Sequence, residues 1–390
     1  MTLKPSQIVD LLNSKRDDFT QFDVKALQRL QQYREALTQF VSLSDAERLR
    51  LLAKHPVALG ARPLEPLLDT TQGMMPFELE WQSREQSLEW VRDRLTGITT
   101  FAVDGSQIYP GKDLSIPVAL VQIGWFENPH QPGGSYEKDV AVDIMTPQDL
   151  RAGNSGEPVD RRVNMRRFQM ETERLVEYIA ANSNSTRHLV FLDGSLVATF
   201  ARGFEPEVRE FYIKCLVRLL RASETHRVPL VAYIDTSYAQ DLTTMLQTLF
   251  DLPKSDSIHD AQLLNAVGMQ WGDRLSLFQC QRADILEDYE DQHDKIAFTY
   301  LKTTRDTYPA RLEMPYWMHA DGLVDTVLDW VRGEVIVGGG YPYVIETADQ
   351  TAVLQTADRQ TFFRILQDWA EQQQVNLRFS RKMVSKVRRR

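Results

Sequence analysis

Short, nearly continuous apolar runs alternate along the chain with longer stretches whose apolar residues recur every three to four positions, the patterns of buried strands and of helices lying on a core. Residues from about Pro5 to Lys54 carry helical spacing alone: Ile8, Leu11 and Leu12, then Leu27, Leu30, Tyr33, Leu37, Phe40 and Val41. Within them, Ser44-Asp45-Ala46-Glu47 has the composition of a helix start. This segment predicts a helical arm, coiled or paired. A polar stretch with prolines, His55 to Pro76, leads to a short helix over Leu88–Leu95, and strand patterns begin near Ile98. From there the order is strand (98–103), strand (116–126), a Pro/Gly loop (130–135), strand (138–144), helix (160–181), strand (188–193), helix (205–226) and strand (229–235). Further on, the pattern predicts a helix over 260–267, strands near 275–280, 296–302 and 311–314, a helix over 322–332 and a last helix over 347–373.

Three strands in succession, followed by alternating helices and strands, predict an α/β fold: a mixed sheet, partly antiparallel and partly parallel, flanked by helices. The RNase H-like architecture has that order. Three segments result: an N-terminal helical region over 1–96, the α/β domain over 97–375 and a basic tail over 376–390.

Two of the strand patterns run into the same tripeptide. Ile98 to Val103 precedes Asp104-Gly105-Ser106, and Leu189 to Leu192 precedes Asp193-Gly194-Ser195. A lone Asp-Gly is more often a turn than a site, and Asp is a good helix cap. Two copies after buried strands read differently, because each carboxylate is poorly hydrated and repels the other unless a cation compensates. The glycine is expected to turn the backbone sharply and to leave each Asp where a strand meets solvent. Between the two copies, the predicted helix over 160–181 places Glu171 along or beside the apolar face of Phe168, Leu175, Val176 and Ile179. Glu171 is the candidate third ligand and Glu173 the next, although Glu171 is also within reach of Arg167 or Arg174 on the same helix.

Three carboxylates without Cys or His suit a hard cation, manganese or magnesium, rather than zinc. Two such ions about 3.5–4 Å apart would bind a scissile phosphate, activate a water and stabilise the leaving oxygen, so no protein nucleophile is needed. Other chemistries lack their motifs. There is no phosphate-binding G-x-x-x-x-G-K-[ST], so Gly338-Gly339-Gly340 reads as a flexible turn, and there is no G-x-S-x-G. The seven histidines are scattered, and most of them are expected to be surface or interface residues; the two cysteines, Cys215 and Cys280, are expected to be reduced core residues. The net charge of −9 argues against indiscriminate binding of a polyanion, but basic residues cluster at Arg161, Arg162, Arg166 and Arg167 and in the tail, where Arg381 and Lys382 stand among residues without an acid. No apolar stretch is long enough for a membrane span and the N-terminus lacks an apolar core, so a cytoplasmic protein is expected.

These residues resemble the NurA nucleases, DNA-end-processing enzymes of archaea and some bacteria. The resemblance runs from about Phe101 to Gln373 and rests on Ala102-Val103-Asp104-Gly105-Ser106, on Leu192-Asp193-Gly194-Ser195 and on the Glu-bearing helix between them. The Asp-led helix at Asp260 to Leu264 ahead of Gly272-Asp273-Arg274, and Gly340-Tyr341-Pro342-Tyr343, complete it. It implies an RNase H-like core, manganese-dependent cleavage of single- and double-stranded DNA with 5′-to-3′ exonuclease activity, a homodimer, and a ring-shaped, hexameric HerA-type ATPase as partner. By that resemblance Asp104, Glu171 and Asp193 are the metal-binding acids, and Tyr341 or Tyr343 stands at the edge of the active site.

Where the family's C-terminal histidine is expected, this chain has Asp349. An aspartate can bind metal, but near neutral pH it neither donates a proton nor holds a phosphate. Asp235-Thr236-Ser237 stands where a basic residue is expected, and its simplest reading is a helix cap. The leading expectation is a metal-dependent DNA nuclease in end resection and double-strand break repair, with Arg166, Arg167, Arg381 and Lys382 gripping the backbone. The alternatives are a catalytically impaired DNA-binding or scaffold subunit, and a metal-dependent phosphatase on small phosphoesters.

Overall fold

The computed structural model describes residues 3–55, 59–68, 71–112, 114–151, 158–378 and 380. Its strands among them are β1 (Gly60–Pro63), β2 (Met74–Met75), β3 (Thr99–Ile108), β4 (Ala119–Asn128), β5 (Glu137–Met145), β6 (His188–Asp193), β7 (Leu230–Ile234), β8 (Arg274–Leu275), β9 (Phe278–Gln281), β10 (Ile296–Leu301) and β11 (Ala310–Pro315). The chain divides into two compact units. One comprises Met1–Leu79, Ile234–Leu286 and Asp294–Leu312; the other comprises Glu80–Tyr233, Glu287–His293 and Glu313–Arg390.

The second unit holds the mixed sheet. Its strands lie in the order β7-β6-β3-β4-β5, with β3, β4 and β5 antiparallel and β6 and β7 parallel to β3. This is the RNase H-like order expected from the sequence. Between their ends the parallel strands β6 and β7 are apolar because both their faces are covered, and Leu189 to Leu192 are buried without exception. The helices Val159–Ala181 and Tyr343–Ala352 each pack on β3 and β4, and Pro206–His226 packs on the first of them. Phe101 of β3 stacks on Tyr178 of the first helix with ring centres 3.7 Å apart.

The single helix expected over 347–373 is two: Tyr343–Ala352 and Thr356–Gln372. Val353 is extended, the Leu354 N–H donates to Ser106 Oγ at 3.2 Å, and Gln355 and Asp358 cap the second helix reciprocally. Leu354 then packs with Ile108, Val118, Leu120 and Phe362, so burial of one leucine holds the break in place.

In the first unit, β1 pairs with β9 and β9 with β10, while β2 pairs with β8 and β8 with β10, all antiparallel. Ser44 does begin a helix, Asp45–Ala53, through a capping box with Glu47. The long helix Arg16–Ser42 buries Tyr33, Leu37, Phe40 and Val41 within this unit, and it packs on Asp241–Leu249 and Asp260–Ala266. By contrast, Pro5–Ser14 buries nothing, and Ile8, Leu11 and Leu12 are exposed. Asp235-Thr236-Ser237 caps no helix: Asp241–Leu249 starts after Gln240, which has no side-chain cap, and Ser237 Oγ instead accepts from the Ala239 N–H at 3.3 Å. Cys215 and Cys280 are free thiols, the former half-buried and the latter buried. His130 is no surface residue, since its ring nitrogens lie 2.8 Å from the Ile98 carbonyl and 3.2 Å from Glu334. Among the described residues no helix is long and apolar enough to cross a membrane.

Candidate active site

The two Asp-Gly-Ser elements, alike in sequence, are built differently. At the second, the strand ends: Asp193 is exposed at the tip of β6, and Gly194, with φ +132°, turns the chain in a conformation that suits glycine. At the first, the strand does not end. β3 continues through Ile108, with Asp104 opposite Gly124 of β4 in the middle of the sheet. Here the glycine serves closeness rather than turning. A Cβ on Gly105 would overlap Glu171 Oε1 and lie 2.7 Å from Arg167 Cγ. Glu171 thus fills the space that a side chain at 105 would occupy, next to Asp104 along the strand.

A second glycine works on the partner strand. A Cβ on Gly124 would lie 2.6 Å from the Ala352 nitrogen and 2.8 Å from the Thr351 carbonyl carbon. These are backbone atoms and yield little, so Gly124 is what lets the helix Tyr343–Ala352 lie on the sheet beside Asp104. That helix carries Asp349, which hydrogen-bonds the Asp104 carboxyl. Gly124→Ala should therefore destabilise the fold by about 1–3 kcal/mol, as overpacking of a tight core does. Thermal unfolding of the variant checks this, and an unchanged midpoint would show that the helix moves freely.

Electrostatics tie the four acids together. Burial pushes the Asp104 carboxyl up, against a hydrogen bond from the Gly105 backbone; the bond with Asp349 and the charges of Asp193 and Asp349 push it further, to about 6. Burial likewise raises Glu171, to about 8, with Arg167 opposing and Asp104 and Asp193 adding to it. Arg167 donates to Glu171 Oε1 and to the Gly105 carbonyl, each at 3.1 Å. The Tyr341 hydroxyl donates to Asp193 Oδ1 at 3.1 Å, and its ring meets Tyr233 edge to face.

Of the residues predicted from sequence, the structure brings together Asp104, Glu171, Asp193, Asp349 and Tyr341. Glu173 turns away, accepting from Gln169 at 2.9 Å with Arg218 3.6 Å off, and Tyr343 packs on Phe126. Arg166 pairs with Asp143 at 2.6 Å and Arg167 with Glu171, so both cations already have acidic partners. Arg381 and Lys382 lie outside the described residues.

Two buried glutamates went unnoticed in the sequence. Glu313 accepts from Ser195 Oγ and from the Leu196 N–H, both at 2.7 Å, and so pins the turn that follows Asp193. Glu334 accepts from Thr100 Oγ1 at 2.7 Å and from the Val344 N–H at 2.9 Å, fastening β3 to the start of the helix that bears Asp349. Their only signal was a glutamate between non-polar immediate neighbours, Leu312 and Met314 in one case and Gly333 and Val335 in the other.

Among the described residues no three His, Cys, Asp or Glu side chains are drawn into a coordination group. The donor set nevertheless fits a hard divalent cation in kind. It is all oxygen, and the charges of Asp193 and Asp349 that help push the Asp104 carboxyl up are a repulsion that a cation would relieve.

An acid-bearing sheet of this order, with glycines admitting a helix on either side of Asp104, is that of an RNase H-like protein. A family-wide sequence model of the NurA domain matches residues 98–354, and the chain belongs to the NurA domain family, a family of nucleases. Among solved structures it is similar to NurA with manganese (11% identity over 74% of this chain and 93% of that one, TM-score 0.41). It is similar to NurA bound to dAMP and manganese (12%, 70% and 90%, TM-score 0.36) and to the catalytic domain of human endonuclease V (15%, 82% and 95%, TM-score 0.33). No curated protein matches the chain.

Proposed function

We propose that this protein is a divalent-metal-dependent deoxyribonuclease that degrades DNA from its ends, with 5′-to-3′ polarity, in end resection and double-strand break repair. The observation that carries this reading is the group of carboxyls formed by Asp104 and Asp193 on the central strands of a NurA domain and by Glu171 and Asp349 on the helices packed against them. Asp104 and Asp193 would hold the cation, with Asp349 and Glu171 completing the oxygen shell, and the ion would supply an activated water and charge neutralisation at the phosphate. Manganese is the first choice, because relatives of this family have been crystallised with it; magnesium is the second. Tyr341 keeps the Asp193 carboxylate oriented through its hydroxyl. Family resemblance supports a homodimer working with a hexameric HerA-type ATPase.

A second reading has its own observation. With Arg167 bound to Glu171, one acid is already neutralised, and Asp349 replaces the histidine expected there, which fits a DNA-binding subunit without turnover. One assay separates the two. End-labelled linear DNA, incubated with the protein in manganese, in magnesium and in chelator, should be shortened in the presence of metal and left intact in chelator. Retained DNA binding without cleavage under either metal favours the second reading.

A further inference from the structure

Beside the acids stands an aromatic group that the carboxylate chemistry does not use. Phe168 lies one helical turn before Glu171, and its ring meets Phe200 at 6.1 Å and Tyr212 at 5.1 Å. Phe200 and Tyr212 are themselves 5.1 Å apart, nearly perpendicular. Tyr212 is buried, whereas Phe200, in the turn Thr199–Ala201 seven residues after Asp193, is 49% exposed. Two edge-to-face neighbours thus fix the plane of a ring that keeps half its surface in solvent. Cations accompany it: Arg161 lies 4.3 Å over Phe204, which adjoins Tyr212, and Arg202 is exposed two residues beyond Phe200.

We propose that Phe200 is a stacking platform for a nucleobase of a single-stranded end. The base lies against the exposed ring, Arg161 and Arg202 face the sugar-phosphate backbone, and the neighbouring phosphate is presented at Asp104 and Asp193. This rests on the nuclease reading and narrows its substrate, because a base in a duplex already has both faces stacked. The flat ring suits any base, as nonspecific strand binding requires, and its place seven residues after Asp193, against Phe168 one helical turn before Glu171, sets the stacked base on the side of the acids.

The test measures binding of a labelled deoxyadenosine oligonucleotide in chelator, where no cleavage occurs, to the wild type and to Phe200→Leu, Phe200→Ala and Phe200→Trp. A second strand of equal length, built wholly from abasic nucleotides, carries the same phosphates without bases. On the intact strand Phe200→Leu and Phe200→Ala should each weaken binding roughly 10-fold, while Phe200→Trp retains it. On the abasic strand all four proteins should bind alike. Phe200→Leu keeps more apolar volume than Phe200→Ala, so a fault in folding would show more strongly in Phe200→Ala and on both strands. An equal loss on both strands, or no loss on the intact one, overturns the platform. If the wild type neither binds the intact strand nor cleaves it with manganese, the nuclease reading itself falls.

Discussion

Asp104→Asn should cost roughly 10³-fold in metal-dependent DNA cleavage and, measured in chelator, should raise the melting temperature. The activity loss follows from removing the acid that is electrostatically linked to each of the others: Asp349 and Asp193 push its carboxyl up, and its charge pushes up Glu171. The gain in stability has the same origin. Burial, Asp349 and Asp193 hold the Asp104 carboxyl up at about 6, well above its ordinary value of 3.8. The folded protein therefore resists ionisation there. The penalty is absent below pH ~4, where the group is protonated folded or unfolded, and is complete above pH ~6, where it is ionised in both. Wild-type stability should fall across that window relative to the variant, by on the order of 1–3 kcal/mol at neutral pH, or a few degrees in midpoint. Paired melting curves at pH 4 and pH 7.5 check the sign. A variant that is inactive but no more stable at pH 7.5 would mean that the acids do not repel one another as placed, and that a cation has little to relieve.

Much of this site was legible because strands buried on both faces write themselves as apolar runs. β6 is observed at the predicted 188–193, and the order of strands and helices from 98 to 235 specified the mixed sheet. What could not be read was set by contacts distant in sequence. Gly105 looked like a turn residue, yet it sits inside a strand because the Glu171 carboxylate needs the space. The break after Ala352 depends on Ser106, 248 residues from Leu354. The helix Asp241–Leu249 was missed because its three threonines obscure a buried face of Leu242, Met245 and Leu246. Glu313 and Glu334 shape the site without touching its four acids, and a single chain marks such residues only as charges out of place.

Charges out of place also make the second large prediction, away from the site. Asp241, at the start of its helix, is 3% exposed and accepts from both Nε and a terminal nitrogen of Arg282 at 2.7 Å, with Arg311 at 2.8 Å. Asp260 is wholly buried nearby and accepts from the Leu242 and Thr243 N–H groups at 3.0 Å and from Tyr300 at 3.2 Å. Two cations thus balance two anions. Burial pushes the Asp241 carboxyl up, but the two guanidiniums outweigh it and hold it low, at about 2. Asp241→Asn leaves two buried guanidiniums sharing one carboxylate, and should destabilise the protein by about 3–5 kcal/mol. Asp241 stabilises the fold fully above pH ~4 and loses that contribution as pH falls through about 2, whereas burial and the charge of Asp241 raise Asp260 to about 6, a cost to the wild type that is present at pH 7 and relieved at pH 3. Urea unfolding of wild type and variant at pH 7 and pH 3 measures both effects. A deficit below about 1 kcal/mol at pH 7 would mean that water reaches the cluster. In that case the buried ions are a wet, screened network and the unit is held together by its apolar core alone.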